Sequence, residues 1–148
     1  MQKGFTLIEM LVVIAVIGII ALVVMPSFST MRQRAVLKSA TSDVLSALDK
    51  ARSQTLASVN SSEYGVHFQS DKVVIFKGTV YSAVDANNEN ILIASPATIS
   101  TITLSGGGSD VYFNRLTGAP NKTGTVVVSV SSVTKTVTIN ATGAASMN

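Results

Sequence analysis

FTLIEMLVVIAVIGIIALVVM, residues 5–25, decides the architecture of this chain. Apart from Thr6 and Glu9, every side chain in it is apolar or absent. At ~1.5 Å per residue, a helix over this stretch is roughly 32 Å long, about one bilayer hydrocarbon core. Glu9 is the anomaly. An ionised carboxylate in lipid costs several kcal/mol unless something pairs with it, so an acid placed there marks a functional residue. Ahead of the stretch lies Met1-Gln2-Lys3-Gly4, a short polar leader with a single Lys.

Downstream, Pro26 sits where the apolar run ends, and a proline inside a helix removes one hydrogen bond and kinks it. Beyond it Phe28, Met31, Ala35, Leu37, Ala40, Val44, Leu48, Ala51, Leu56 and Val59 recur at spacings of three to four. Charged and polar residues lie between them, which is an amphipathic helix by period. The pattern predicts one long, kinked helix from about Phe5 to about Val59. Its first half is apolar all round and its second half carries one apolar stripe. Asn60-Ser61-Ser62 stops it, because these side chains compete for the backbone and favour turns.

Past Glu63 the period changes to two. Tyr64–Phe68 and Lys72–Lys77 read as a hairpin, and Ala83 to Asn90 as a polar loop. Ile91–Ile93 and Thr98–Leu104 follow, separated by Pro96, and then the break Gly106-Gly107-Gly108 and a strand at Val111–Phe113. Thr125–Val130 and Lys135–Asn140 form a last hairpin with its turn near Ser131–Thr134. A striped helix and a one-sided sheet bury their apolar faces only against each other. The expected fold is therefore α+β, with the kinked N-terminal helix packed on an antiparallel β-sheet of about six or seven strands. The segments are a leader at 1–4, an apolar helix at 5–26, its amphipathic half at 27–60 and a β-rich domain at 61–148.

Composition narrows the chemistry. The 148 residues contain no Cys and no Trp, and 5% aromatics, so the core is mostly aliphatic and no disulfide or thiolate site exists. The net charge of +3 comes from scattered Lys and Arg, unlike a nucleic-acid stripe. His67 is the only histidine, and zinc needs three or four convergent ligands. No nucleophile elbow is present. Gly106–Gly108 lacks the Lys-Ser/Thr of a phosphate loop and reads as a hinge. Asp85 and Glu89 lie in the polar loop without EF-hand spacing. No catalytic constellation, metal site or cofactor site emerges.

Gly4-Phe5-Thr6-Leu7-Ile8-Glu9 resembles the class III signal of type IV prepilins and type II secretion pseudopilins. The resemblance covers the leader and the whole apolar helix. It implies the pilin fold, cleavage by prepilin peptidase after Gly4, and N-methylation of Phe5 as the first residue of the mature chain. It also implies that Glu9 pairs with the terminal amine of a neighbouring subunit during assembly. The implied partners are that peptidase/N-methyltransferase, an inner-membrane assembly platform and other pilin or pseudopilin subunits. The implied location is the bacterial inner membrane, globular domain outside the cytoplasm, and then the filament. Ala51-Arg52-Ser53, together with the segment from Phe113 through Gly118 to Gly143, is similar to the GspH/FimT group of minor pilins and pseudopilins. Some FimT-like members bind DNA through a basic C-terminal segment. Here Thr136–Asn148 holds no Lys or Arg, so that activity is not carried over. The missing Cys pair departs from many major type IVa pilins, while minor pilin, pseudopilin and another kind of major pilin all stay open. A tip subunit capturing DNA or a surface ligand is the alternative.

Two simpler readings compete. One is a signal-anchor with Glu9 at the interface. The other is a cleaved secretory signal, with Ser27-Phe28-Ser29 as the small-x-small site. The apolar run is longer than a usual signal core, and a helical pattern continues past Pro26, which favours a retained helix. Arg32, Arg34 and Lys38 follow the span, so the positive-inside rule alone puts the body in the cytoplasm. The resemblance implies the reverse, and the specific processing motif outweighs that small bias.

Overall fold

The computed structural model describes residues 4–148, with the side chains of residues 23 and 25–27 outside the description. Met1, Gln2 and Lys3 of the expected leader are also outside it. Helix α1 spans Leu7–Leu56, 50 residues or roughly 75 Å, with Pro26 inside it. The kink expected at Pro26 rests on a side chain outside the described residues.

The helix ends follow from local chemistry. Thr6 is extended (φ −83°, ψ 154°) and its Oγ1 accepts the Glu9 N–H at 3.3 Å, capping one of the orphan donors of the first turn. At the other end the Ala57 N–H bonds the Ser53 carbonyl, and Ser58, Asn60 and Ser61 then take positive φ near 50°. The α-helix thus ends at Leu56, short of the expected Val59, and Asn60 and Ser61 of the expected stop lie in a separate short 3₁₀ turn, Val59–Ser61.

Eight strands follow, in two four-stranded antiparallel sheets. The first has the order β3-β2-β1-β5, from β1 (Tyr64–Phe68), β2 (Lys72–Lys77), β3 (Glu89–Leu92) and β5 (Asp110–Tyr112). The second has the order β4-β6-β7-β8, from β4 (Thr98–Leu104), β6 (Gly124–Val130), β7 (Val133–Ile139) and β8 (Ala145–Met147). The α+β class with a long helix on antiparallel sheet is as expected and is consistent with the pilin fold. The division into two sheets is new. After β3 the chain leaves the first sheet, contributes β4 to the second, and returns for β5. Backbone bonds from Ile93 N to Asp71 O and from Ile99 N to Ser70 O, both 2.9 Å, stitch that crossing to the β1–β2 turn.

The second half of α1 lies across both sheets, touching β1, β2, β6, β7 and β8. Leu37, Ala40, Thr41, Val44, Ala47, Leu48, Ala51 and Thr55 form its buried stripe. Period-two sets answer it: Val66 and Phe68 on β1, Val126, Val128 and Val130 on β6, and Val137 and Ile139 on β7. On β2 four consecutive residues, Val73–Phe76, are buried, so the first sheet is covered on both faces rather than one. Its outer face is closed by the chain after β2: Tyr81 stacks on His67 (centroids 3.8 Å) and meets Phe76 edge-on at 5.7 Å. Gly65 belongs to the same device. A Cβ there would strike the Phe76 ring and the Val111 carbonyl, so only glycine lets the ring lie flat on β1.

The two fully buried threonines of α1 are both hydrogen-bonded, and they differ in what they do, whereas the buried Gln54 Oε1 has no partner among the described residues. Thr41 Oγ1 donates to Leu37 O at 2.7 Å, a bond within the helix. Thr55 Oγ1 donates to Ala51 O at 2.9 Å and also accepts the Tyr64 N–H at 2.9 Å. Thr55 therefore joins the end of the helix to the start of β1.

Candidate processing and assembly site at the N-terminus

Gly4, Phe5, Thr6 and Glu9 line one open groove of about 560 Å³. Residues 4–6 precede the first helical turn, so the Gly4–Phe5 peptide bond lies on non-helical, exposed backbone. A peptidase must engage backbone N–H and C=O groups that an α-helix would already have used. Among the described residues nothing within 4 Å would meet a Cβ added at Gly4, so none of them requires a glycine there.

Glu9 is exposed in the first turn of α1, on the side of the helix dipole that favours an anion. Among the described residues no cation pairs with it. The apolar residues around it are equally open: Phe5 is 79% exposed, Leu7 80% and Ile8 67%. Exposed apolar surface on this scale marks an interaction face or a lipid contact. Gly18 has nothing within 4 Å either, so a reason for its small size must come from a neighbour of the helix. Sequence reasoning passed over one signal here. Thr6-Leu7-Ile8-Glu9 has the S/T-x-x-E form of a capping box, and half of that box, the Glu9 N–H to Thr6 Oγ1 bond, is formed. Thr6 thus fixes where the helix begins and leaves the Gly4–Phe5 junction outside it.

The other singled-out residues resolve into local structure. His67 Nδ1 lies 2.7 Å from Asp110 Oδ1, its cross-strand partner on β5, and no nucleophile is joined to the pair. Asp85 Oδ1 accepts both the backbone N–H and the side-chain amide of Asn87 at 2.8 Å, which lowers its pKa below the usual carboxylate range. Glu89 is held instead by Lys50 Nζ at 2.6 Å. The two loop acids are thus each engaged by a different partner. Among the described residues no group of three His, Cys, Asp or Glu is placed to hold a metal. Gly106, Gly107 and Gly108 all take positive φ in a turn that Lys122 closes by donating to Gly107 O at 2.8 Å.

A third cluster was visible in the sequence only as scattered residues. Arg52, near the end of α1, donates from Nε to Gly118 O and from Nη2 to Thr142 O, both at 3.1 Å. Gly143 sits in the left-handed region (φ +81°), where a Cβ would run into Gly118 O and Arg52 Nε. Arg52 therefore clamps the loop after β5 and the β7–β8 turn to the helix.

A family model described as the prokaryotic N-terminal methylation motif matches residues 1–25. That motif marks prepilin-peptidase substrates and supports a place for this chain in the type IV pilin-like superfamily, whose members are structural subunits. No curated protein and no solved structure matches the chain. Among the described residues no helix is long and apolar enough to cross a membrane.

Proposed function

We propose that this protein is a filament subunit, a minor pilin or pseudopilin of the GspH/FimT kind. It would be stored in the inner membrane by residues 5–26, cut between Gly4 and Phe5, methylated on Phe5 and then built into a type IV pilus or a type II secretion pseudopilus. The observation that carries this reading is the open groove in which Glu9, without a cation partner among the described residues, and the Gly4–Phe5 junction lie together. In an apolar filament core, an unpaired carboxylate and an unpaired ammonium each cost several kcal/mol. Docking the Phe5 amine of one subunit against Glu9 of the next removes both penalties and fixes axial register.

The exposed half of α1 supplies the rest of the assembly energy, at roughly 1.5–3 kcal/mol for each large side chain fully buried. Pro26 is the place where the helix loosens as subunits pack, because its ring removes one ladder bond. The convergence of Arg52, Gly118 and Gly143 supports the GspH/FimT assignment, since those are the positions on which the resemblance rests. The test is Glu9→Ala expressed with its native assembly machinery. Cleavage and methylation should proceed unchanged. Incorporation should fall about a hundredfold or more, because the neighbour's ammonium is left buried and alone. Normal incorporation by that variant contradicts the pairing.

A further inference from the structure

Arg34, Lys38 and Lys135 converge on one cleft of about 430 Å³ whose remaining lining is Leu37, Val133 and Thr134. Arg34 and Lys38 stand one turn apart on the same helix face, and Lys135 is brought to them by β7. Like charges at this spacing repel one another. Among the described residues the ion pairs are Lys50–Glu89 and His67–Asp110, and neither relieves the three cations. The sequence offers little local relief, since residues 10–42 and 111–148 contain no Asp or Glu. The second sheet is therefore free of acids, and every acid except Glu9 lies on the second half of α1, on the first sheet or in the connections around it.

Position along the helix gives the cluster its meaning. At ~1.5 Å per residue Arg34 lies roughly 14 Å beyond the end of the apolar stretch, and Lys38 roughly 20 Å beyond it. Side chains on a helix lean toward its N-terminus, here back toward the apolar half. That lean brings the two charged heads several Å nearer the level where headgroups end, within about one Debye length of the surface. The cleft pairs these cations with an apolar floor, the combination that suits a phosphate carried on a glycerol and acyl stem.

We propose that the Arg34–Lys38–Lys135 cleft docks the globular domain onto anionic phospholipid headgroups of the membrane in which the unassembled subunit is stored. The proposal rests on the membrane-stored reading above. It also gives a role to the basic residues after the apolar stretch, which charge rules alone would place on the cytoplasmic side. Each basic side chain near an anionic surface favours the docked state about fivefold, so the three together favour it roughly a hundredfold. Extraction into a filament would have to break this contact.

Because the chain has no Cys, single probes can be placed cleanly. The full-length protein is inserted, one copy per disc, into nanodiscs of phosphatidylcholine alone or phosphatidylcholine with phosphatidylglycerol. A fluorophore on Thr134→Cys reports on the cleft and one on Val84→Cys, 92% exposed in the loop after β2, serves as the distant control. A quencher is attached to the headgroups. The Thr134 probe should be quenched in discs containing phosphatidylglycerol and not in phosphatidylcholine alone, with Val84 unchanged. High salt, or Arg34→Gln with Lys38→Gln and Lys135→Gln, should lower the docked-to-undocked ratio roughly a hundredfold. Equal quenching in the two lipids, or unaltered docking by the triple variant, overturns the proposal. Quenching that appears only with several copies per disc overturns it in favour of a contact with another copy of the chain. A chain that elutes apart from the discs defeats the membrane-stored reading itself, a result seen before any quenching is read.

Discussion

Replacing Thr55 with Val should loosen the joint between the helical spine and the β-rich head, whereas the same change at Thr41 should be nearly silent. Both threonines are fully buried on the same stripe of α1, and both donate to the carbonyl four residues back. Only Thr55 also accepts, from the Tyr64 N–H at 2.9 Å. Thr→Val keeps the side-chain shape and the β-branched rotamer preference, so the two variants differ mainly in what is left unpaired. At Thr41 the lost bond of ~1 kcal/mol is offset by the ~0.8 kcal/mol of an added buried methyl. At Thr55 a buried backbone N–H loses its acceptor, which costs about 2 kcal/mol. For a chain of this length that lowers Tm by about 6 °C, against less than about 2 °C for Thr41→Val. The assay is thermal unfolding of the detergent-solubilised full chain by circular dichroism, with hydrogen exchange at the Tyr64 amide read in parallel. Exchange there should accelerate only in Thr55→Val. Equal shifts in the two variants, or a larger one at Thr41, would refute the assignment of Thr55 as the joint.

Gly143→Ala should destabilise by about 2–4 kcal/mol, since left-handed strain adds to a collision with the Gly118 carbonyl and Arg52. Gly78→Ala, at φ +99° with open space around it, should cost only about 1–2 kcal/mol in the same melting experiment. The depressed pKa of Asp85 has a defined pH consequence. Its hydrogen bonds from Asn87 stabilise the loop above the ordinary aspartate pKa, and that contribution fades as pH falls through the lower folded value. Carboxyl NMR should place the Asp85 midpoint below 3.8, and Asn87→Ala, which keeps the backbone N–H bond and removes only the side-chain amide, should raise it part of the way back.

Where one element's own pattern sets its structure, the sequence showed it. The middle of the α1 stripe (Leu37, Ala40, Val44, Leu48 and Ala51), the β1–β2 hairpin and the bounds of β4 follow from hydrophobic period and turn residues, whereas Phe28, Met31, Ala35, Leu56 and Val59 of the expected stripe are exposed because the sheets do not reach them. The pairing of strands does not, because nothing local tells β4 to leave its predecessors and join β6. The run Val73–Phe76 did carry a hint of two covered faces, since a one-sided strand would alternate. Strand β8 gave no signal, as Ala145-Ser146-Met147 has neither alternation nor β-branched residues. At the N-terminus the residues of interest were plain in sequence, while the Thr6 cap that sets them outside the helix needed its short motif to be read as structure. Arg52, Gly118 and Gly143 lie far apart in the chain, and only folding makes them one clamp.

The account stands on the Gly4–Phe5 junction being cut and the apolar helix retained. Intact-mass and N-terminal analysis of the protein made with its native peptidase measures this directly. The predicted product has lost Met1–Gly4, begins at Phe5 and carries one added methyl on its amine. A mature chain that begins after Pro26 would contradict it, because the residue meant to meet a neighbour's Glu9 would have been discarded with the helix.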